Sequence, residues 1–349
     1  MSHASRTRTL GGSAQWVVDG LTARGIDVNP SSRLGRFARQ FAKNAYTGPW
    51  GPDDQALLIE ALMAMRDVEE VAMILDEFPA TTNADLKKLV DDAPLPRTDR
   101  STPGRDRQLE LIVGAICQRG KMPVRLDVEP DLWCEASRVW LGLAVKRVRS
   151  PDKFGANFKN AADQIQRSPL SFGFACMEVS LAWNQDLRAV LTQRSEDEVA
   201  HDLRERLSRF LDEQNDVRNE VWERFPKMLG LLCMDHTFTH HEGLGWHRDQ
   251  FSMFCLSDRN DRHRAKIACA FRKNWIGGST NCVDMDKGYP RTGMFAGPPV
   301  DKIMPLRPGS GSWYTQPRSS RVTRTLSSLI FSAALSNTSF SGRVPSNHW

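Results

Sequence analysis

The chain has 349 residues, 40% hydrophobic and 26% charged, a mixture that supports folded cores and excludes disorder throughout. The length allows two or three folded units, and no apolar run approaches the ~18 residues that would read as a membrane-spanning helix. The formal net charge is +5 but unevenly placed: residues 258–349 carry +9 and residues 1–257 carry −4, so a nucleic-acid site in the core must be a local groove.

The amino terminus, MSHASRTRTLGGSAQ, is positively charged but lacks the apolar core of a signal peptide. The seven cysteines are odd in number, scattered and set in apolar runs, with no CxxC pair. That usage fits a reducing compartment better than a disulfide framework, and the expected location is the cytoplasm.

SSRLGRFARQFAKNAY spaces Leu34, Phe37, Ala38 and Phe41 at helical intervals behind a serine cap. DDQALLIEALMAMRDVEEVAMILDEF and TNADLKKLVDD continue the helical pattern, and APLPRTDRSTPGRD breaks it. Residues 1–100 therefore read as a helical amino-terminal domain. RDRQLELIVGAICQRG is a helix with Leu109, Ile112, Val113 and Ile116 on one face and Gly120 as its stop. MPVRLDV, PDLWCEA and VWLGLAVKRV follow as three short strands. PDKFGANFKNAADQIQRS is an amphipathic helix, and SFGFACMEVSLAW reads as a strand buried on both faces.

SEDEVAHDLRERLSRFLDEQNDVRNEVWERF is a long charged helix. KMLGLLCMDHTFTHH and WHRDQFSMFCLS form a hairpin across EGLG that extends the sheet. Residues 101–257 thus make an α/β core with a long helix and a hairpin extension. Residues 258–349 read as a basic, Ser/Arg-rich, weakly ordered tail, in which LSSLIFSAAL alone suggests a short helix.

Strand periodicity concentrates the chemistry. Gly142, Ala144 and Lys146 share one face of their strand, and Asp131, Trp133 and Glu135 share one face of the preceding strand. A hairpin would bring Asp131 and Lys146 together, with Glu110 arriving from the helix before. Carboxylates of this kind hold a hard divalent cation that also binds phosphate oxygens. Such a cation lowers the pKa of a bound water, and a lysine beside it orients that water and offsets transition-state charge.

Residues 105 to about 183 resemble the PD-(D/E)XK, restriction-endonuclease-like nuclease superfamily, whose core runs helix, three strands, helix, strand. Pro130-Asp131 matches its PD, Lys146 its final lysine, and Glu110 the acid often supplied by the first helix. The resemblance implies an α/β fold with a restriction-endonuclease-like core, a helical amino-terminal domain and extra carboxy-terminal strands. It implies metal-dependent phosphodiester hydrolysis, with Asp131, Lys146 and Glu110 catalytic and Asp131 and Glu110 holding Mg²⁺ or Mn²⁺. Gln164, on the helix after the lysine strand, and Arg147 are the implied substrate contacts. The implied partner is nucleic acid, with DNA as the expected form, and no membrane; a homodimer is an assembly this class allows.

Ala144 stands where the family has Asp or Glu. Either Glu110 or Glu135 compensates, or the acid was removed, or catalysis is lost and a nuclease-fold module remains that binds nucleic acid or a protein. Each residue also has a plainer reading: Asp131 as a turn former, Lys146 as a solvated strand end, Glu110 as a helix residue paired with Arg107, and Gln164 as structural. Cys233, Asp235, His236, His240, His241 and His247 are a rival set with zinc-ligand chemistry. Along one strand, however, His236 and His240 lie about 13 Å apart. The Trp and Arg content of the last ninety or so residues suggests a nucleic-acid-binding tail, set against a solvated one.

Overall fold

The computed structural model describes residues 10–43, 55–78, 83–90, 103–126, 128–183, 190–192, 196–241, 245–258, 261–275 and 294–295. Four helices come first: α1 (Leu10–Thr22), α2 (Arg33–Ala42), α3 (Gln55–Glu77) and α4 (Asn83–Lys88). The Ser32 hydroxyl caps α2 by accepting from Gly35 N at 3.3 Å, and Leu34 and Phe37 are buried. α1 falls in the stretch given no element above; its Ala14, Val17 and Leu21 repeat at helical spacing and are all buried.

Then follow α5 (Pro103–Arg119), β1 (Val124–Arg125), β2 (Leu132–Ala136), β3 (Val139–Arg147), a 3-10 turn (Pro151–Lys153), α6 (Phe154–Arg167) and β4 (Phe172–Glu178). The expected helix, three strands, helix, strand order is present. The chain continues through α7 (Ser180–Trp183), β5 (Val190–Thr192), α8 (Glu196–Glu213), α9 (Asn215–Arg224), β6 (Met228–His241), β7 (Gly245–Leu256), α10 (Arg262–Trp275) and β8 (Met294–Phe295). The fold is mixed α/β. Its eight-stranded sheet runs β1-β2-β3-β4-β6-β7-β8, with β5 also paired to β6. The pairs β3–β4 and β4–β6 are parallel, while β2–β3 and β6–β7 are antiparallel.

Alternation along the strands sorts side chains onto two faces. Leu143 and Val145 of β3 and Phe174 and Cys176 of β4 join one buried cluster with residues of α3, α5 and α10. Ala144, Ala175 and Met177 join a second cluster with α6, α8 and α9. Helices therefore cover both faces of the sheet. The first cluster also takes in Leu21 and Phe37, so it runs without a break from the amino-terminal helices to the sheet.

Ser137 and Arg138 connect β2 to β3 with φ of 51° and 64°, the left-handed pair that a two-residue hairpin turn requires. Neither is glycine, so each bears a steric cost in that region. Arg138→Gly should therefore raise stability by about 1 kcal/mol, read as an upward shift in Tm; a lower Tm would refute it.

The structure departs from the sequence reading at three further places. The single long charged helix divides into α8 and α9 at Gln214. The tail does not begin at residue 258: α10 packs Ile267, Phe271 and Trp275 into the first cluster, where Phe271 stacks on Phe174 at 4.7 Å. Gly120 is not in the left-handed region, which falls instead to Lys121. A Cβ on Gly120 would lie 2.4 Å from the Asn274 carbonyl of α10, so close backbone approach explains this glycine. LSSLIFSAAL lies outside the described residues.

A buried ion network anchors the amino-terminal half of α5. Asp67 accepts from Arg33 at 2.5 Å and from Arg105 at 3.0 Å, and all three side chains are at most 2% exposed. Arg33 also donates to the Leu89 carbonyl and to Gln108, while Gln108 donates to Glu70. Burial alone would raise the Asp67 carboxyl, but Arg105, Arg33 and Arg66 outweigh it and hold the group below the usual carboxylate range. Burial, helped by neighbouring arginines, pushes Arg105 down to about 10, still cationic at neutral pH.

Candidate active site

The site is built where β2 meets the end of β3. In the antiparallel register Leu132 faces Leu143 and Trp133 faces Gly142. Extending that register places Asp131 level with Ala144. Asp131 Oδ2 accepts Val145 N at 2.6 Å and Lys146 Nζ at 3.0 Å. The carboxylate thus takes a backbone amide beyond the last ladder pair and holds the lysine head. Both bonds fall on Oδ2, leaving Oδ1 to neither.

Gly142 explains how Asp131 reaches this position. A Cβ there would come within 2.9 Å of the Pro130 ring, so the missing side chain lets Pro130 lie against β3 and sets the start of β2.

Glu110 projects from α5 and accepts Arg107 Nη1 at 2.6 Å, so the plainer pairing is realised. The same carboxylate also feels the site. Burial raises it above the usual carboxylate range and the Asp131 charge adds to the rise, while Arg107 and Lys146 oppose it. The side chains of Asp131, Lys146 and Glu110 are 15–21% exposed, sheltered but open to solvent.

A carboxyl raised by folding holds a proton that the unfolded chain has released. Its contribution to stability is therefore lost as pH rises through the folded value. Asp131→Asn should lower the Glu110 titration midpoint and Lys146→Met should raise it, as read by carboxyl carbon NMR. A midpoint unmoved by both would mean that the three groups do not form one site.

Other expected residues fall elsewhere. Arg147 Nε donates to Glu178 Oε2 at 2.6 Å, and its side chain is 5% exposed. It ties β3 to β4 and has no open face for a phosphate. Ile165, next to Gln164, packs over Gly173, which pairs with Gly142. Gly142 lies four residues before Lys146, about 13 Å along the strand. Gln164 therefore belongs beside the beginnings of β3 and β4, and its Oε1 is buried without a hydrogen-bond partner. Glu135 pairs with Trp140 near the turn, also about 13 Å from Asp131, too far to replace the missing acid.

Ala144 is fully buried, in one cluster with Phe154, Phe158, Ala161 and Ala162 of α6. The position that the nuclease pattern gives to a second acid is closed here by helix packing.

Of the rival zinc set, Asp235 is held by Arg206 and Trp183, and burial pushes the Cys233 thiol well above its ordinary value, opposite to a thiolate ligand. His236, His240, His241 and His247 have side chains outside the described residues. Among the described residues no group of three or more His, Cys, Asp or Glu is placed to hold a metal. Asp131 and Glu110 carry carboxylate oxygens, the donor type that hard divalent cations take, and one oxygen of each is held by Lys146 and Arg107 respectively.

No helix of the described residues is long and apolar enough to cross a membrane. Comparison with protein-family models, curated proteins and solved structures finds no match to this chain.

Proposed function

We propose that the protein is a metal-dependent nuclease of the restriction-endonuclease-like kind, hydrolysing phosphodiester bonds in nucleic acid, with DNA as the expected substrate. The observation that supports this most is the Asp131–Lys146 contact at 3.0 Å, at the mouth of the β2–β3 pair and within electrostatic reach of Glu110. Asp131 and Glu110 would hold Mg²⁺, which when bound supplies a polarised phosphate and an acidified water. Lys146 lies at the mouth of the site, where it would orient the attacking water and offset the developing phosphorane charge. Asp131 positions Lys146 through the shared Oδ2.

A second reading rests on Ala144. Alanine at this buried position leaves the expected set one acid short, which suits a nuclease-fold module that binds nucleic acid or a protein without cutting.

Purified protein incubated with plasmid and linear DNA in Mg²⁺ or Mn²⁺ should nick or cut the DNA, and Lys146→Ala should reduce the rate about 10²–10³-fold. Cleavage indifferent to Lys146→Ala would remove the assigned site. Binding with no cleavage in either metal would favour the second reading.

A further inference from the structure

The parallel strands β3 and β4 bring their carboxyl ends to one edge, level with the middle of the longer β6, and ends of this kind are where open α/β sheets place their ligands. Register aligns Lys146 with Met177 and Met177 with Cys233, so Asp235, two residues on, shares their face of the sheet. Two strand spacings and the two-residue step together put Asp235 about 12 Å from Lys146 along the sheet.

Asp235 is fully buried, and both of its oxygens are engaged by groups at this edge. Oδ2 accepts Arg206 Nη2, and Oδ1 accepts the Trp183 indole N–H at 3.3 Å. The Arg206 guanidinium lies over the Trp183 ring at 5.2 Å, and that ring meets Phe210 edge-on at 4.9 Å. A buried acid thus fixes an arginine and an indole side by side while the Arg206 side chain stays 36% exposed. Guanidinium pairs with phosphate and indole stacks on a base, and the indole finds a base face only where the base is unpaired.

We infer that Trp183 and Arg206 bind a single-stranded segment of nucleic acid beside the Asp131–Lys146 site, so that the substrate carries unpaired nucleotides. The inference rests on the nuclease reading for its substrate class, not for its geometry.

The test uses the full chain, a labelled single-stranded oligonucleotide of about 20 thymidines and a blunt duplex of equal length, with binding read by fluorescence anisotropy. The wild type should prefer the single strand. Trp183→Leu, which keeps an apolar contact with Phe210, and Arg206→Lys, which keeps a cation on Asp235, should each weaken single-strand binding about tenfold and duplex binding less than twofold. Trp183→Phe keeps a ring to stack on, so it should bind more tightly than Trp183→Leu, a comparison that survives some loss of stability.

Unchanged single-strand affinity in both Trp183→Leu and Arg206→Lys, with cleavage still dependent on Lys146, would overturn this inference and leave the nuclease reading standing. Single-strand binding lost in both variants, in a protein that never cleaves, would support the inference and reject the catalytic reading. A wild type that neither binds nor cleaves would overturn both.

Discussion

Asp67→Asn should lower unfolding stability by about 3–5 kcal/mol, the loss found when one partner leaves a buried ion pair. The size follows from what remains. Arg33 and Arg105 are at most 2% exposed, and both direct guanidinium nitrogens at the same Asp67 oxygen. An asparagine keeps the shape but leaves two buried cations facing a neutral amide.

The urea midpoint should fall with the slope unchanged, because the surface exposed on unfolding is the same. A triple change to apolar residues, Arg33→Met with Asp67→Leu and Arg105→Leu, should recover much of the loss, since desolvation disappears along with attraction. The pH dependence has a definite sign. Asp67 titrates below its unfolded value, so its stabilisation is complete above the ordinary carboxylate range and fades as pH falls towards its own lower value. Acid unfolding of the wild type should therefore include a proton uptake that Asp67→Asn lacks. A loss under about 1 kcal/mol would show that the network is not a stability determinant.

Ala144→Glu, which supplies the residue type that the nuclease resemblance expects here, should destabilise the protein by at least about 3 kcal/mol. Ala144 is packed against α6 with no exposure, so the larger side chain meets overpacking as well as carboxylate desolvation. Lys146, two residues along on the same face, offers some compensation. Thermal melting combined with Mg²⁺ titration decides the matter. A variant within about 1 kcal/mol of the wild type that gains metal affinity would mean that the α6 side of β3 opens readily and that the site lacks only this acid.

These two residues mark what was readable in the sequence. The Asp131–Lys146 meeting followed from strand alternation and a short hairpin, both local properties, and the order of elements from α5 to β4 followed from periodicity. The Arg33–Asp67–Arg105 network did not, because its members lie 34 and 38 residues apart and each reads alone as a solvated charge. The ion pair of Arg147 has no local signal for the same reason: its partner Glu178 stands on a parallel strand reached only after α6. Gln164 was placed by helix position, yet position along the helix also decides which end of the sheet a residue overlies. The Trp183–Asp235–Arg206 cluster joins three separate elements and had no local signature beyond an acid in an apolar strand.

The contact between Gly142 and Pro130 bears on how loss-of-function data for this protein should be sorted. Under the proposed nuclease function, a screen scored on activity alone would return Gly142 variants together with those of Asp131 and Lys146, although Gly142 has no side chain to take part in chemistry. Any side chain there meets the Pro130 ring within 2.9 Å and moves the start of β2, carrying the acid with it. Variants of the acid and lysine should keep the wild-type melting profile more closely than Gly142 variants do, so melting curves separate an altered reactive group from an altered support.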